Sequence, residues 1–128
     1  MRAHELLTEM YRAYELDKKS RQILAATFPP KYPDFIGQHI TYKMGNKSGL
    51  PPMPNTVAVI GYADDGESLE ALVVAVDGST DRVDGSIYHI TWSLDRSKGR
   101  KPVDSNKLVA SGFKPVDPIS IQVEPKIL

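Results

Sequence analysis

Cysteine is absent from these 128 residues, which rules out disulfides, thiolate metal sites and a cysteine nucleophile. That absence fits a reducing compartment. No apolar stretch approaches the roughly 18 residues needed to span a bilayer. The opening Met1-Arg2-Ala3-His4-Glu5 lacks the apolar run of a signal peptide. An excess of charge is also missing, with sixteen Lys and Arg against sixteen Asp and Glu. Proteins that coat a nucleic-acid duplex through its phosphates carry a basic excess, so stable duplex binding is disfavoured. A small anion in a locally basic pocket remains compatible with that balance. These absences predict a soluble cytoplasmic protein without a membrane partner, folded as one domain over 1–128.

Histidine is scarce too, with three in the chain. Two of them lie in a repeated tripeptide, His39-Ile40-Thr41 and His89-Ile90-Thr91, each followed by an aromatic residue, Tyr42 and Trp92. Strand side chains alternate faces. His39, Thr41 and Lys43 therefore share one face of their strand, with Ile40 and Tyr42 opposite. In the second copy His89, Thr91 and Ser93 share a face, against Tyr88, Ile90, Trp92 and Leu94. The apolar set belongs on the core and the histidine set on a cleft or solvent. The plainer reading is a pair of amphipathic strands with polar outer faces, for which threonine is favoured anyway. Two identical copies that hold both strand histidines weigh against it.

Around these strands the pattern predicts an α+β domain with a largely antiparallel sheet. Residues 3–27 read as an N-terminal helix, with Leu6, Leu7, Met10, Tyr14, Ile23 and Leu24 near helical spacing. Asp17-Lys18-Lys19-Ser20 interrupts it, and Phe28-Pro29-Pro30 stops it. Strands are expected at 36–43, 56–62, 69–76 and 87–94, with 69–76 apolar enough for a central position. Residues 45–55 read as a loop. A short helix is expected at about 104–111, capped by Asp104 or Ser105 and closed by Gly112. A last strand, 119–123 between Pro118 and Pro125, reads as an edge.

Two imidazoles and two hydroxyls are the parts needed to cleave a phosphodiester. One proton must leave the attacking hydroxyl or water, and another must reach the leaving oxygen. Histidine, with an unperturbed pKa of about 6.5, can do either at neutral pH. A threonine two residues on can donate to a phosphate oxygen as charge builds. No cofactor or metal is needed. A metal site is a weak alternative, because neither motif contains a carboxylate and cysteine is missing.

At Gly37-Gln38-His39-Ile40-Thr41-Tyr42 and Ile87-Tyr88-His89-Ile90-Thr91-Trp92-Ser93-Leu94 the chain resembles the 2H phosphoesterase superfamily, defined by two His-x-Thr/Ser motifs. Members similar to LigT-type RNA ligases and 2′,3′-cyclic phosphodiesterases are built as two pseudo-symmetric lobes. Each lobe lends one motif strand to a central groove. The resemblance implies that fold here, with His39 and His89 as the acid–base pair and Thr41 and Thr91 as phosphate-positioning hydroxyls. Fifty positions separate the two histidines, a compactness similar to the small phage-encoded branch that includes anti-CBASS nucleases. That implies hydrolysis of a cyclic oligonucleotide, in a host's cytoplasm if phage-encoded. Processing of an RNA 2′,3′-cyclic end is the alternative substrate reading. A non-catalytic nucleotide-binding or interaction protein is the alternative class.

Further residues join the expected site. Arg96, Lys98, Arg100 and Lys101 form a basic loop directly after the second motif strand, placed to meet substrate phosphates, although a solvated hairpin tip would look the same. Lys43 and Ser93 share the motif faces and are expected at the substrate. Tyr42, Trp92, Tyr62 and Tyr88 are assigned to core packing by strand parity rather than to base stacking. Tyr11 and Tyr14 are placed on the first helix, and His4 is given no chemical role. Asp64, Asp65, Asp77, Asp81 and Asp84 miss the spacing of a calcium loop and read as turn residues.

Overall fold

Leu69–Val76 is apolar at nearly every position and buried along almost its whole length, and the sheet is laid out around it. The computed structural model describes residues 11–44 and 49–128. Among them the strands are β1 (Tyr11–Leu16), β2 (Asp34–Phe35), β3 (His39–Met44), β4 (Val57–Asp64), β5 (Leu69–Val76), β6 (His89–Leu94), β7 (Lys114–Ser120) and β8 (Val123–Ile127). Two α-helices accompany them, α1 (Lys18–Thr27) and α2 (Ser105–Ala110). Every strand pairing is antiparallel. The order is β7-β4-β5-β6-β3-β1-β8, with β2 added on β6. This is an α+β fold dominated by one antiparallel sheet.

The two edge strands, β7 and β8, are consecutive in the chain and separated only by Ile121-Gln122. The sheet must therefore curl until its edges come together. The corner is tied down by three bonds. The Ile121 amide donates to the Val57 carbonyl (3.0 Å), the Asp17 amide donates to the Gln122 carbonyl (3.1 Å), and the Gln122 amide donates to the Ser20 hydroxyl (2.7 Å). Inside the curl lies the main core, including Tyr14, Ile40, Val59, Leu72, Val74, Ile90, Trp92, Ile121 and Val123, closed by Leu24 of α1. Each such side chain, taken wholly from water, contributes about 1.5–3 kcal/mol.

The helix expected over 3–27 is found only from Lys18 onward; residues 3–10 and His4 lie outside the described residues. Residues 11–16 are strand instead, pairing with both β3 and β8. Tyr14 and Leu16, two apart, both point into the core, which is strand alternation rather than helical spacing. The interruption at Asp17 is the helix start: its carboxylate accepts the Ser20 amide at 2.7 Å. Tyr14 is thus a core strand residue, its hydroxyl donating to the Pro52 carbonyl. The strand expected at 119–123 is also revised. Its centre is the corner between β7 and β8, and prolines 115, 118 and 125 sit within those two strands. Both are edge strands, where a missing amide donor is tolerated. Residues 45–48 of the expected loop lie outside the described residues.

The outer face of the sheet carries a smaller apolar cluster, Ala63, Ala71, Val73 and Val109, roofed by α2. Beside that roof the outer face is open.

Candidate functional site

The two motif strands are immediate neighbours, β3 against β6, in register at Ile40 and Ile90. Both isoleucines are fully buried in the core. By alternation the residues on either side of each isoleucine point to the outer face. One step from the paired isoleucines, His39 lies across from Thr91 and Thr41 across from His89. The two tripeptides are thus related crosswise, each histidine beside the other motif's threonine. All four line one cavity of about 460 Å³, together with Ile36, Gln38, Arg82, Arg96, Pro102, Val103 and Asn106. That volume suits a nucleotide-sized ligand.

The strand geometry is fixed from behind. Trp92 is fully buried, donates its indole N–H to the Phe28 carbonyl (2.7 Å) and meets Phe35 edge-on at 4.8 Å. Ile36 and Gly37 donate their amides to the Trp92 and Thr91 carbonyls. Gly37 has φ +46°, and a Cβ there would fall 2.4 Å from the Phe35 ring and 2.9 Å from that of Trp92. Only glycine fits this approach two residues before His39.

His89 is 8% exposed, and its Nδ1 lies 2.7 Å from the Ile87 carbonyl. A carbonyl can only accept, so Nδ1 carries the proton and Nε2 is left as the working nitrogen. Burial holds the His89 pKa below its ordinary value; the Ile87 bond opposes this, and the charge of Arg82 adds to it. His39 is likewise lowered by burial and then by His89, while Glu15 acts the other way. Glu15 is the cross-strand partner of His39 on β1. Both imidazoles are therefore biased towards the neutral form.

The Thr91 hydroxyl is already engaged: it lies 2.9 Å from the Ser105 hydroxyl and donates to the Pro102 carbonyl at 3.2 Å. It clasps the segment 102–106 to the motif strand, and that segment forms one wall of the cavity. Asn106, on this wall, donates to the Val103 carbonyl, and its buried Oδ1 has no hydrogen-bond partner among the described residues.

The remaining expected residues divide. Arg96 lines the cavity, with its amide anchored on Asp34. Lys98 reaches the Glu67 carbonyl, and Arg100 is held by Ser68 and Asp65 at 2.8 Å each; neither lines the cavity. Lys101 is exposed and also off its wall. Lys43 is half-buried beyond the rim, across from Arg12 of β1. Ser93 is fully buried, donating to Glu70 (2.6 Å) and accepting the Tyr32 amide. The sheet register shifts between Glu70 and Ala71, where Trp92 is the extra residue on β6. Ser93 therefore turns to the inner face beside Glu70, opposite to His89 and Thr91, and the shared face expected for it is not found. Tyr62 stacks on Phe28, bonds Glu70 and serves packing, as does the buried Tyr88. Tyr42 packs edge-on against Tyr14.

Arg82 escaped the sequence reading. It lines the cavity with a side chain only 6% exposed, paired with Asp84. The stretch Asp81-Arg82-Val83-Asp84-Gly85 reads as a turn; the available signal was an arginine shortly before the second motif with an aspartate two positions on. Asp65 and Asp77 cap backbone amides, as turn residues do. Among the described residues no group of three or more His, Asp or Glu is placed to hold a metal ion, and no helix is long and apolar enough to cross a membrane. Comparison with family models, with curated proteins and with solved structures finds no match to this chain.

Proposed function

We propose that the protein is a metal-independent phosphodiesterase of the 2H type, acting on a nucleotide phosphodiester, with a cyclic oligonucleotide as the favoured substrate. The crosswise register of the two motifs about Ile40 and Ile90 supports this reading, since it sets each histidine beside the other motif's threonine. The observation that carries the reading is the convergence of His39, Thr41, His89 and Thr91 on one cavity.

His89 is assigned as the base, because its Nδ1–H is committed to Ile87 and its Nε2 lone pair is available. His39, across the cavity from that base, takes the complementary part of the acid; burial and His89 lower its pKa and Glu15 only opposes this. With a substrate that keeps its 2′-hydroxyl, His89 takes that proton as O2′ bonds to phosphorus. The P–O5′ bond breaks, and His39 protonates the departing O5′. The products are a 2′,3′-cyclic phosphate and a 5′-hydroxyl. With a cyclic phosphate as substrate, the same pair activates water and protonates the released hydroxyl.

The test is incubation with cyclic di- and trinucleotides, 2′-5′ oligoadenylate and RNA bearing a 2′,3′-cyclic end, in excess chelator, followed by product chromatography. Turnover is expected, with a loss of roughly 10²–10⁴-fold for His39→Ala or His89→Ala. Ligand binding without wild-type turnover would mean a binding module, and neither would mean an interaction protein.

A further inference from the structure

Arg82 is a buried cation on the cavity wall, and burying a guanidinium is costly unless it is paired and hydrogen-bonded. Asp84 supplies the pairing: its two carboxylate oxygens accept from Nε and Nη2, 2.8 Å each, side by side. This fork fixes the plane of the guanidinium and occupies two of its five N–H donors. The Nη1 edge makes no hydrogen bond to a described residue.

Arg96, Thr41 and Gln38 also offer donors in the cavity, but the motif residues beside Arg82 bring little positive charge to it. Both imidazoles are biased towards neutrality, and the Thr91 hydroxyl is spent on Ser105 and Pro102. Among the described lining residues the cations are Arg82 and the more exposed Arg96. They stand at opposite ends. Arg82 precedes β6 and acts on His89, whereas Arg96 follows β6 and is anchored beside β2.

We propose that Arg82 is the phosphate-holding residue of this cavity, its Nη1 edge donating to a non-bridging oxygen of the phosphate beside His89, and that Asp84 positions it. The proposal rests on the phosphodiesterase reading, to which it adds the group that takes the substrate's charge. It also gives the proton balance a direction: an anion seated at Arg82 offsets the cation's effect on His89 and stabilises the imidazolium that forms when His89 accepts its proton.

The experiment is an NMR titration of the whole wild-type chain with inorganic phosphate near neutral pH, following the Arg82 Nε–H and the histidine ring signals. The Arg82 and His89 signals are expected to move along one saturation curve. Arg82→Lys is expected to weaken phosphate binding about tenfold, through loss of the forked, charge-assisted geometry. Asp84→Asn is expected to weaken it less, and in turnover assays to raise KM more than it lowers kcat. The wild-type titration needs no variant to fold. Movement of His89 with a still Arg82, or undiminished binding by a folded Arg82→Lys, overturns the proposal and leaves the acid–base reading intact. Movement of neither also overturns it, and wild-type turnover on the substrate panel then decides the enzyme reading separately.

Discussion

The Thr91 hydroxyl lies 2.9 Å from that of Ser105, so a motif residue expected to meet substrate is also the peg on which the segment 102–106 hangs. Thr91→Val keeps the side-chain shape but leaves the Ser105 hydroxyl without its partner and the Pro102 carbonyl with the Ser105 amide alone. A stability loss of about 1–2 kcal/mol is expected in denaturant unfolding, together with reduced turnover as the wall carrying Val103 and Asn106 loosens. An unchanged unfolding midpoint would show that the clasp contributes nothing.

Gly37→Ala places a methyl group against Phe35 and Trp92 at a positive φ. The strain from φ is of order 1 kcal/mol, and the overlap with a packed ring pair adds to it. The expected result is lowered thermal stability with displaced His39 ring signals in NMR. Wild-type stability with unshifted rings would mean that the approach to Trp92 relaxes freely.

Glu70, 1% exposed, accepts from the Tyr62 and Ser93 hydroxyls and from the Lys31 amide. Its removal strands three donors and opens a void beneath the segment that leads into β2. Glu70→Ala is expected to cost about 3–5 kcal/mol and Glu70→Gln clearly less, since the amide oxygen still accepts. Equal losses for the two variants in equilibrium unfolding would contradict this account.

Stability should depend on pH with a definite sign. The unfolded chain protonates His39 and His89 at about 6.5, and the folded chain does so at lower pH because burial disfavours the charged rings. Between those values the unfolded state holds more protons, so stability rises with pH through that window. The contribution is fully present above about 6.5 and is lost as the pH falls through the folded-state values. Asp84, held low by its Arg82 hydrogen bond, loses its contribution further down, below the ordinary carboxylate range. Replacing both strand histidines by alanine should flatten the slope of unfolding free energy between about pH 7 and 5. A slope that survives would place the linkage on other groups.

Much of the frame could be read from residue patterns. Leu69–Val76 is found with the expected bounds, since an apolar run between turn signals has few other places to go. Strand parity separated His89 and Thr91 from Ile90 and Trp92, because period-two alternation leaves no freedom once one face is buried. Parity holds only while the ladder is regular: the bulge at Trp92 turns Ser93 inward to Glu70, away from the face of His89 and Thr91 where simple alternation puts it. Residues 11–16 read as helix because Tyr14 continues Leu6, Leu7 and Met10 near helical spacing. What decides for strand is the tertiary pairing with β3 and β8. The basic loop was legible as a cluster, but only coordinates tell that Asp65 and Ser68 claim Arg100 while Arg96 faces the cavity.

β1 takes one partner, β3, from early in the chain and the other, β8, from its far end. On the ribosome, the strand that flanks His39 waits one-sided until residue 127 has emerged, long after both motifs have been made. A nascent chain can thus form the Ile40–Ile90 ladder and still lack its outer support. The later arrival of Val123–Ile127 makes completion of the curl, and with it the final seating of the first histidine, an event that comes after both motifs have been made.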